Sequence, residues 1–309
     1  MKKNLEAIAK RSGQEEERLG SVSDHFEGLF DVISRVTGAV ARAFFVVLLI
    51  ATPSLLLPGQ SQDTTQIVVL IAFFAALITL IEYSSSYPAL IEFRNAPPLN
   101  RIRFITLFLI VFFLSIVFRG LSDPTTLTQF ITVVGLLVGH VIDFPYSPVR
   151  LVIYLMPEDV SPDHLSLVRA SAGISYLVAL VSLAVFMIVI RVSQWPNQAE
   201  RFNFWTNLPT FDPTMGGDIV TRLNRDARFN ITLGFLLPFL TPLIVKTASG
   251  FFDTSMSQAP QTLVWMIAVW TFLPASLFMR GIAMNRIAEM IEHYRTRGAG
   301  AIQPSLARA

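Results

Sequence analysis

The chain has no cysteine among its 309 residues, which excludes a disulfide framework, a thiolate metal site and a cysteine nucleophile. Charge is scarce as well. Asp, Glu, Lys and Arg make up 15% of the residues, against roughly 25% in soluble globular domains. That is too few to cover a water-facing surface for a chain of this length. The net charge of +2 is thinly spread, so there is no basic face of the kind that nucleic acid requires, and no nucleic-acid partner is expected. Recognisable chemistry is missing too: there is no Walker sequence, GxGxxG, HExxH or GxSxG. No pair of Asp-rich motifs is present to hold magnesium around a diphosphate. Of His25, His140, His164 and His293, only His140 lies in an apolar segment, which leaves a membrane haem without a second imidazole. No catalytic residue, metal or cofactor is expected, and the chain does not read as an enzyme.

Apolar residues, by contrast, are abundant, at 52% of the chain. Disorder needs low hydrophobicity and high net charge, so a polytopic membrane protein remains. The positions of the charges carry more information than their number. Of the 46 charged residues, 40 fall in the blocks 1–42, 92–103, 143–169, 191–228 and 280–309. Charge at the bilayer centre is costly, so nearly charge-free runs of about 17–25 residues read as spanning helices. Seven such segments follow: 39–57, 65–83, 103–119, 125–143, 168–191, 229–248 and 261–281. Lipid cannot satisfy open backbone groups, so the spans must be helical. The expected fold is an all-α transmembrane helix bundle.

Residues 1–38 are expected to form a cytoplasmic N-terminal segment, unlike a secretory signal because no apolar core lies near its start. Phe26, Leu29, Phe30, Ile33, Val36 and Val40 recur at helical spacing, as in an interfacial helix or an extension of the first span. Residues 39–281 form the membrane domain, with 192–228 as a cytoplasmic connector, and 282–309 form a cytoplasmic tail. Seven crossings with the N-terminus inside would place 13 Lys and Arg inside and 11 outside, which is no bias. One parity change between Arg119 and Arg191 makes the split 20 to 4, as the positive-inside rule demands. The number of crossings is therefore expected to be even. Six result if 103–119 or 125–143 enters without crossing, and eight if Pro148–Met156 contributes a broken crossing. Arg outnumbers Lys 20 to 4, a bias of GC-rich bacterial genomes, so a bacterial inner membrane with both termini cytoplasmic is expected.

A few polar groups qualify as candidates. His140 and Asp143 are three residues apart at the end of the fourth segment. On one helix face they would form a carboxylate–imidazole pair suited to a proton relay or gate. Glu82 closes the second segment, where an ionisable group is a site candidate or a snorkelling anchor. Gly135 and Gly139 form a GxxxG for close helix packing. Arg222, Arg225 and Arg228 are candidates for lipid headgroup contact. Pro53, Pro238, Pro242 and Pro274 lie in spans, where transporters use freed carbonyls as ion sites. Asp218, Arg222 and Asp226 follow helical spacing as an ion-paired surface stripe. Trp195, Phe202, Phe204, Trp205 and Phe211 suit the headgroup zone.

Two functions fit this pattern. One is a multi-pass protein acting by interaction, as an accessory, assembly or scaffold subunit whose partners are the lipid bilayer and other membrane proteins. The other is a small transporter or proton-coupled channel along His140, Asp143 and Glu82. The cysteine-free background permits a direct test of the even parity. Single cysteines introduced at positions 200–220 are expected to react with impermeant maleimide only from the cytoplasmic face, and labelling from the outer face would overturn it.

Overall fold

Six helices are long and apolar enough to cross a bilayer in the computed structural model, which describes residues 33–59, 61–154, 156, 160–196, 203–209, 211, 216–248 and 259–306. They are α1 (Ile33–Leu56), α2 (Gln62–Ser84), α3 (Leu99–Arg119), α6 (Pro162–Val192), α8 (Ile219–Ala248) and α9 (Pro260–Leu306). Three shorter helices separate them: α4 (Thr126–Val141), α5 (Pro148–Ile153) and α7 (Phe204–Asn207). No strand occurs among the described residues. Phe26, Leu29 and Phe30 lie outside the described residues. Ile33, Val36 and Val40 belong to α1 itself, where they are exposed.

Two buried clusters define the ends of the bundle. The first joins Leu57 after α1, the second half of α3, α4, α5, the first half of α6 and the start of α9. The second joins Phe93 and Leu99 to Phe186 and Ile190 of α6, Leu223 and Ala227 of α8, and Met279 to Ala288 of α9. Hence α1, α3 and α8 run one way and α2, α6 and α9 the other. The chain leaves α3 and enters α6 at the same end. The segment between them, α4 and α5, does not cross.

Length and packing explain why. At about 1.5 Å per residue, the 16 residues of α4 reach roughly 24 Å, short of a hydrocarbon core of about 30 Å. Thr125 and Thr128 cap α4 reciprocally, and α4 lies across α6 where three glycines meet. A Cβ on Gly135 would collide with the Ala170 carbonyl oxygen, and one on Gly139 would lie 2.5 Å from the Arg169 oxygen. On Gly173 it would overlap the Gly135 carbonyl and sit 2.5 Å from the Gly139 nitrogen. Only backbones without side chains can approach this closely.

Local chemistry sets the helix ends. Ser161 accepts a hydrogen bond from the His164 N–H at 3.3 Å, with Pro162 in the first turn, so α6 starts where its capping residues require. Pro242 has no N–H to give to the Pro238 carbonyl. The buried Trp270 indole donates to that carbonyl instead, at 3.2 Å. The Thr271 hydroxyl meets the Ser175 hydroxyl at 3.1 Å across α9 and α6.

The polar end differs from the sequence reading. Helix α9 does not stop at 281 but continues to Leu306, and Ala283, Met284, Ile287 and Ala288, expected in a tail, are fully buried. Their spacing of three and four makes an apolar stripe that packs on Leu223 and Ala227. The 192–228 connector is also packed, through Leu208, Phe211 and Leu223. Trp195 and Phe211 turn inward rather than toward headgroups, with Trp195 against Phe93 at 6.2 Å between ring centroids. Phe202 and the side chains of Phe204 and Trp205 lie outside the described residues. Nor do Asp218, Arg222 and Asp226 make a stripe. Asp218 accepts from the Thr221 N–H at 3.0 Å and pairs with Arg295 of α9 at 2.5 Å, while Arg222 stacks over the Phe211 ring at 4.6 Å. The Arg295 bond, helped by the Thr221 N–H, holds the Asp218 carboxyl below the usual carboxylate range.

The glycine crossing yields a stability prediction. Gly173→Ala is expected to cost about 1–3 kcal/mol through overpacking, read as a lower thermal midpoint in detergent. Gly216→Ala, with open space at its Cβ, should leave the midpoint unchanged.

Candidate functional sites at the two ends of the bundle

His140 and Asp143 are not joined. Helix α4 ends at Val141, so Asp143 falls beyond the helix and the three-residue spacing no longer sets a common face. The exposed His140 points its Nδ1 at the Leu136 carbonyl of its own helix, 2.7 Å away. Asp143 turns inward and its side chain is only 6% exposed. One carboxylate oxygen bonds the Arg150 guanidinium and the other the Arg169 Nε at 3.0 Å. Arg150 also donates to the Asp143 carbonyl at 3.1 Å. The carboxylate thus ties α5 and α6 to the end of α4, and two of the few arginines at this end share it as a partner.

Glu82 lies at the other end, on α2, and is buried. After Ser84 the chain folds back so that three successive backbone N–H groups, of Ala89, Leu90 and Ile91, donate to its carboxylate at 3.0–3.3 Å. This is an anion nest in which the protein supplies its own anion. Arg94 closes the loop by donating to the carbonyls of Glu82 at 2.7 Å, Ser85 at 2.6 Å and Ser86 at 3.2 Å, which satisfies the orphan acceptors at the end of α2. Burial of Glu82 therefore organises the 85–98 loop. Two further contacts lock that loop to the bundle. Glu92 receives a two-pronged bond from Arg280 of α9, at 2.5 and 2.8 Å, and the Asn95 N–H donates to Asn207 at 3.1 Å.

Between α1, the end of α2, this loop and the start of α3 lies a cleft of about 1240 Å³. Arg42, Arg94, Arg101, Arg103 and Arg280 line it, with Glu92 as the only carboxylate among the described lining residues. Phe45, Val46, Phe104 and Ile105 continue the wall along α1 and α3. Sequence reasoning counted these arginines only as topology signals. Arg101 and Arg103 flank the start of a span, and it is the folded-back loop that brings Arg94 and Arg280 beside them.

Gly135 and Gly139 meet at the α4–α6 crossing. Of the arginines 222, 225 and 228, Arg225 and Arg228 are exposed, and Arg225 approaches its neighbour Asp226 at 3.6 Å. Arg222 is drawn inward onto Phe211, so the three do not act as one cluster. Among the described residues no group of three or more His, Asp or Glu is placed to hold a metal ion. No protein family, curated protein or solved structure matches this chain.

These geometries separate two neighbouring residues. Asp143→Asn leaves two partly exposed guanidinium groups without their carboxylate and is expected to cost about 1–3 kcal/mol, read by thermal unfolding in detergent. His140→Ala should change the midpoint little, and a double-mutant cycle between them should give a coupling near zero.

Proposed function

We propose that this multi-pass membrane protein acts by interaction, as an accessory, assembly or scaffold subunit of a membrane complex, and not as an enzyme. The observation that carries this reading is α2. Of its 23 residues only Val68, Ala72, Thr79 and Glu82 are buried, while Ile67, Leu70, Phe73, Phe74, Leu77 and Ile81 among others are exposed. The helix is held firmly at one end by the Glu82 nest and is otherwise left uncovered by the rest of the bundle. Helix association in lipid depends on shape and packing rather than on hydrophobicity, and an anchored helix open on most faces is suited to it.

The arrangement of polar groups supports the same reading. Asp143, the Pro238 carbonyl and the Thr271–Ser175 pair are satisfied within the protein. Glu82 and Asp143 belong to opposite ends, which counts against a small transporter or proton-coupled channel using His140, Asp143 and Glu82. The positive-inside rule orients the arginine-rich end toward the cytoplasm, and the Arg-rich composition favours a bacterial inner membrane.

The test is photo-crosslinking in native membranes, with a photoreactive residue at Leu70 or Phe74 and at the buried Ile110 as control. A discrete protein adduct is expected from the α2 positions and none from Ile110. Adducts to lipid alone at both α2 positions would refute the interaction reading.

A further inference from the structure

The cleft between α1, α2 and α3 concentrates charge of one sign. Its described lining carries five guanidinium groups and one carboxylate, and Glu92 is shared with Arg280. Arg94 is occupied by the carbonyls at the end of α2. That leaves Arg42 and Arg101, with Arg103 beside Glu92, to meet a ligand. Arg42 is braced in place: it donates to the Gly38 carbonyl at 2.7 Å and its guanidinium lies 4.5 Å from the centre of the Tyr83 ring. A guanidinium has five N–H donors, so this bracing uses only part of its capacity. Arg101 is exposed and Arg103 partly buried. Such an excess of cations beside a membrane attracts phosphate, which arginine binds with two parallel bonds.

The other wall selects among anions. Phe45, Val46, Phe104 and Ile105 run from the arginines along α1 and α3, and Phe45 and Ile105 stay about half exposed on these spanning helices. The apolar wall is therefore continuous with the lipid-facing surface. An inorganic anion would use the cations and leave this wall empty, whereas a ligand with an anionic head and a hydrocarbon chain uses both. The volume of about 1240 Å³ exceeds the roughly 300–1,000 Å³ of sites for drug-sized ligands and accommodates a headgroup with the first part of its chains.

We propose that this cleft holds one anionic phospholipid, with its headgroup among Arg42, Arg101 and Arg103 and its chain against Phe45, Val46 and Phe104. The site is distinct from the exposed Arg225 and Arg228, which present charge without a cavity. The inference does not depend on the interaction reading, since the α2 residues lining the cleft, Thr79 and Tyr83, are not the exposed ones that carry that reading.

Native mass spectrometry of the full chain in neutral detergent tests it, with phosphatidylglycerol and phosphatidylcholine as competing probes and inorganic phosphate as a third arm. One phosphatidylglycerol is expected to be retained in preference to phosphatidylcholine. At roughly 1 kcal/mol per arginine, Arg101→Gln should weaken retention about five-fold, and Arg101→Gln with Arg103→Gln about 25-fold. The pair Arg225→Gln and Arg228→Gln should retain the lipid as the parent does. Arg101 is exposed, so its single variant keeps the test valid if the double variant unfolds, as thermal midpoints will reveal. Phe104→Ser should also reduce lipid retention. Equal retention of the two lipids, equal loss in the Arg225/Arg228 variant, or full displacement by millimolar inorganic phosphate would each overturn the proposal.

Discussion

A carboxylate or a carbonyl shut away from water at the edge of a bilayer must find its partners within the protein, because hydrocarbon offers none. Most of the tertiary structure here follows from that requirement. Asp143 is buried because two arginines from different helices surround it, and in gathering them it seats α4 and α5 against the start of α6. Glu82 is buried because a loop folds three amides onto it, and the same fold places Glu92 where Arg280 can reach it. The Pro238 carbonyl, denied its helical donor by Pro242, is met by the indole of Trp270. Each of these three groups doubles as a joint between elements or between a helix and its loop.

The two ends of the bundle use this constraint differently. At the end holding α4 and α5, arginines are paired locally, with Asp143 shared by Arg150 and Arg169 and Asp123 bound to Arg119 at 2.9 Å. The other end keeps an excess of arginine and builds a packed layer from the 85–98 loop, the residues Asn207, Leu208 and Phe211, and α9 through Ala288. Burying the Asp143 carboxylate requires both of its arginines, so α4, α5 and α6 are held together at this end. The cationic end retains capacity for an outside anion. This asymmetry underlies both the orientation and the lipid site proposed for the protein.

The structure also reassigns the residues that stood out in the sequence. His140 and Asp143 looked like a pair because helical periodicity was extended past the point where α4 ends. Glu82 looked like a snorkelling group because nothing in the linear order announces that Ala89, Leu90 and Ile91 will turn their amides toward it. The GxxxG of Gly135 and Gly139 was visible, but its counterpart, the single Gly173 with no second glycine at that spacing, was not. The α9 extension was legible in principle, since Met279, Ala283 and Ile287 recur at four-residue intervals. Arg280 and Arg286 among them mark where the hydrocarbon ends and say little about where the helix ends.

From sequence alone, the scarcity and clustering of charge determined the helical membrane class, the approximate spans and the even number of crossings. These depend on transfer of each segment between water and lipid, a property that each segment carries by itself. Only the tertiary structure decided that α4 is the segment that does not cross, which carboxylate meets which guanidinium, and that five arginines border one cleft. Those outcomes depend on contacts as distant as the 188 residues between Glu92 and Arg280. Local pattern does not encode such distances; the three-dimensional need to satisfy each buried charge does.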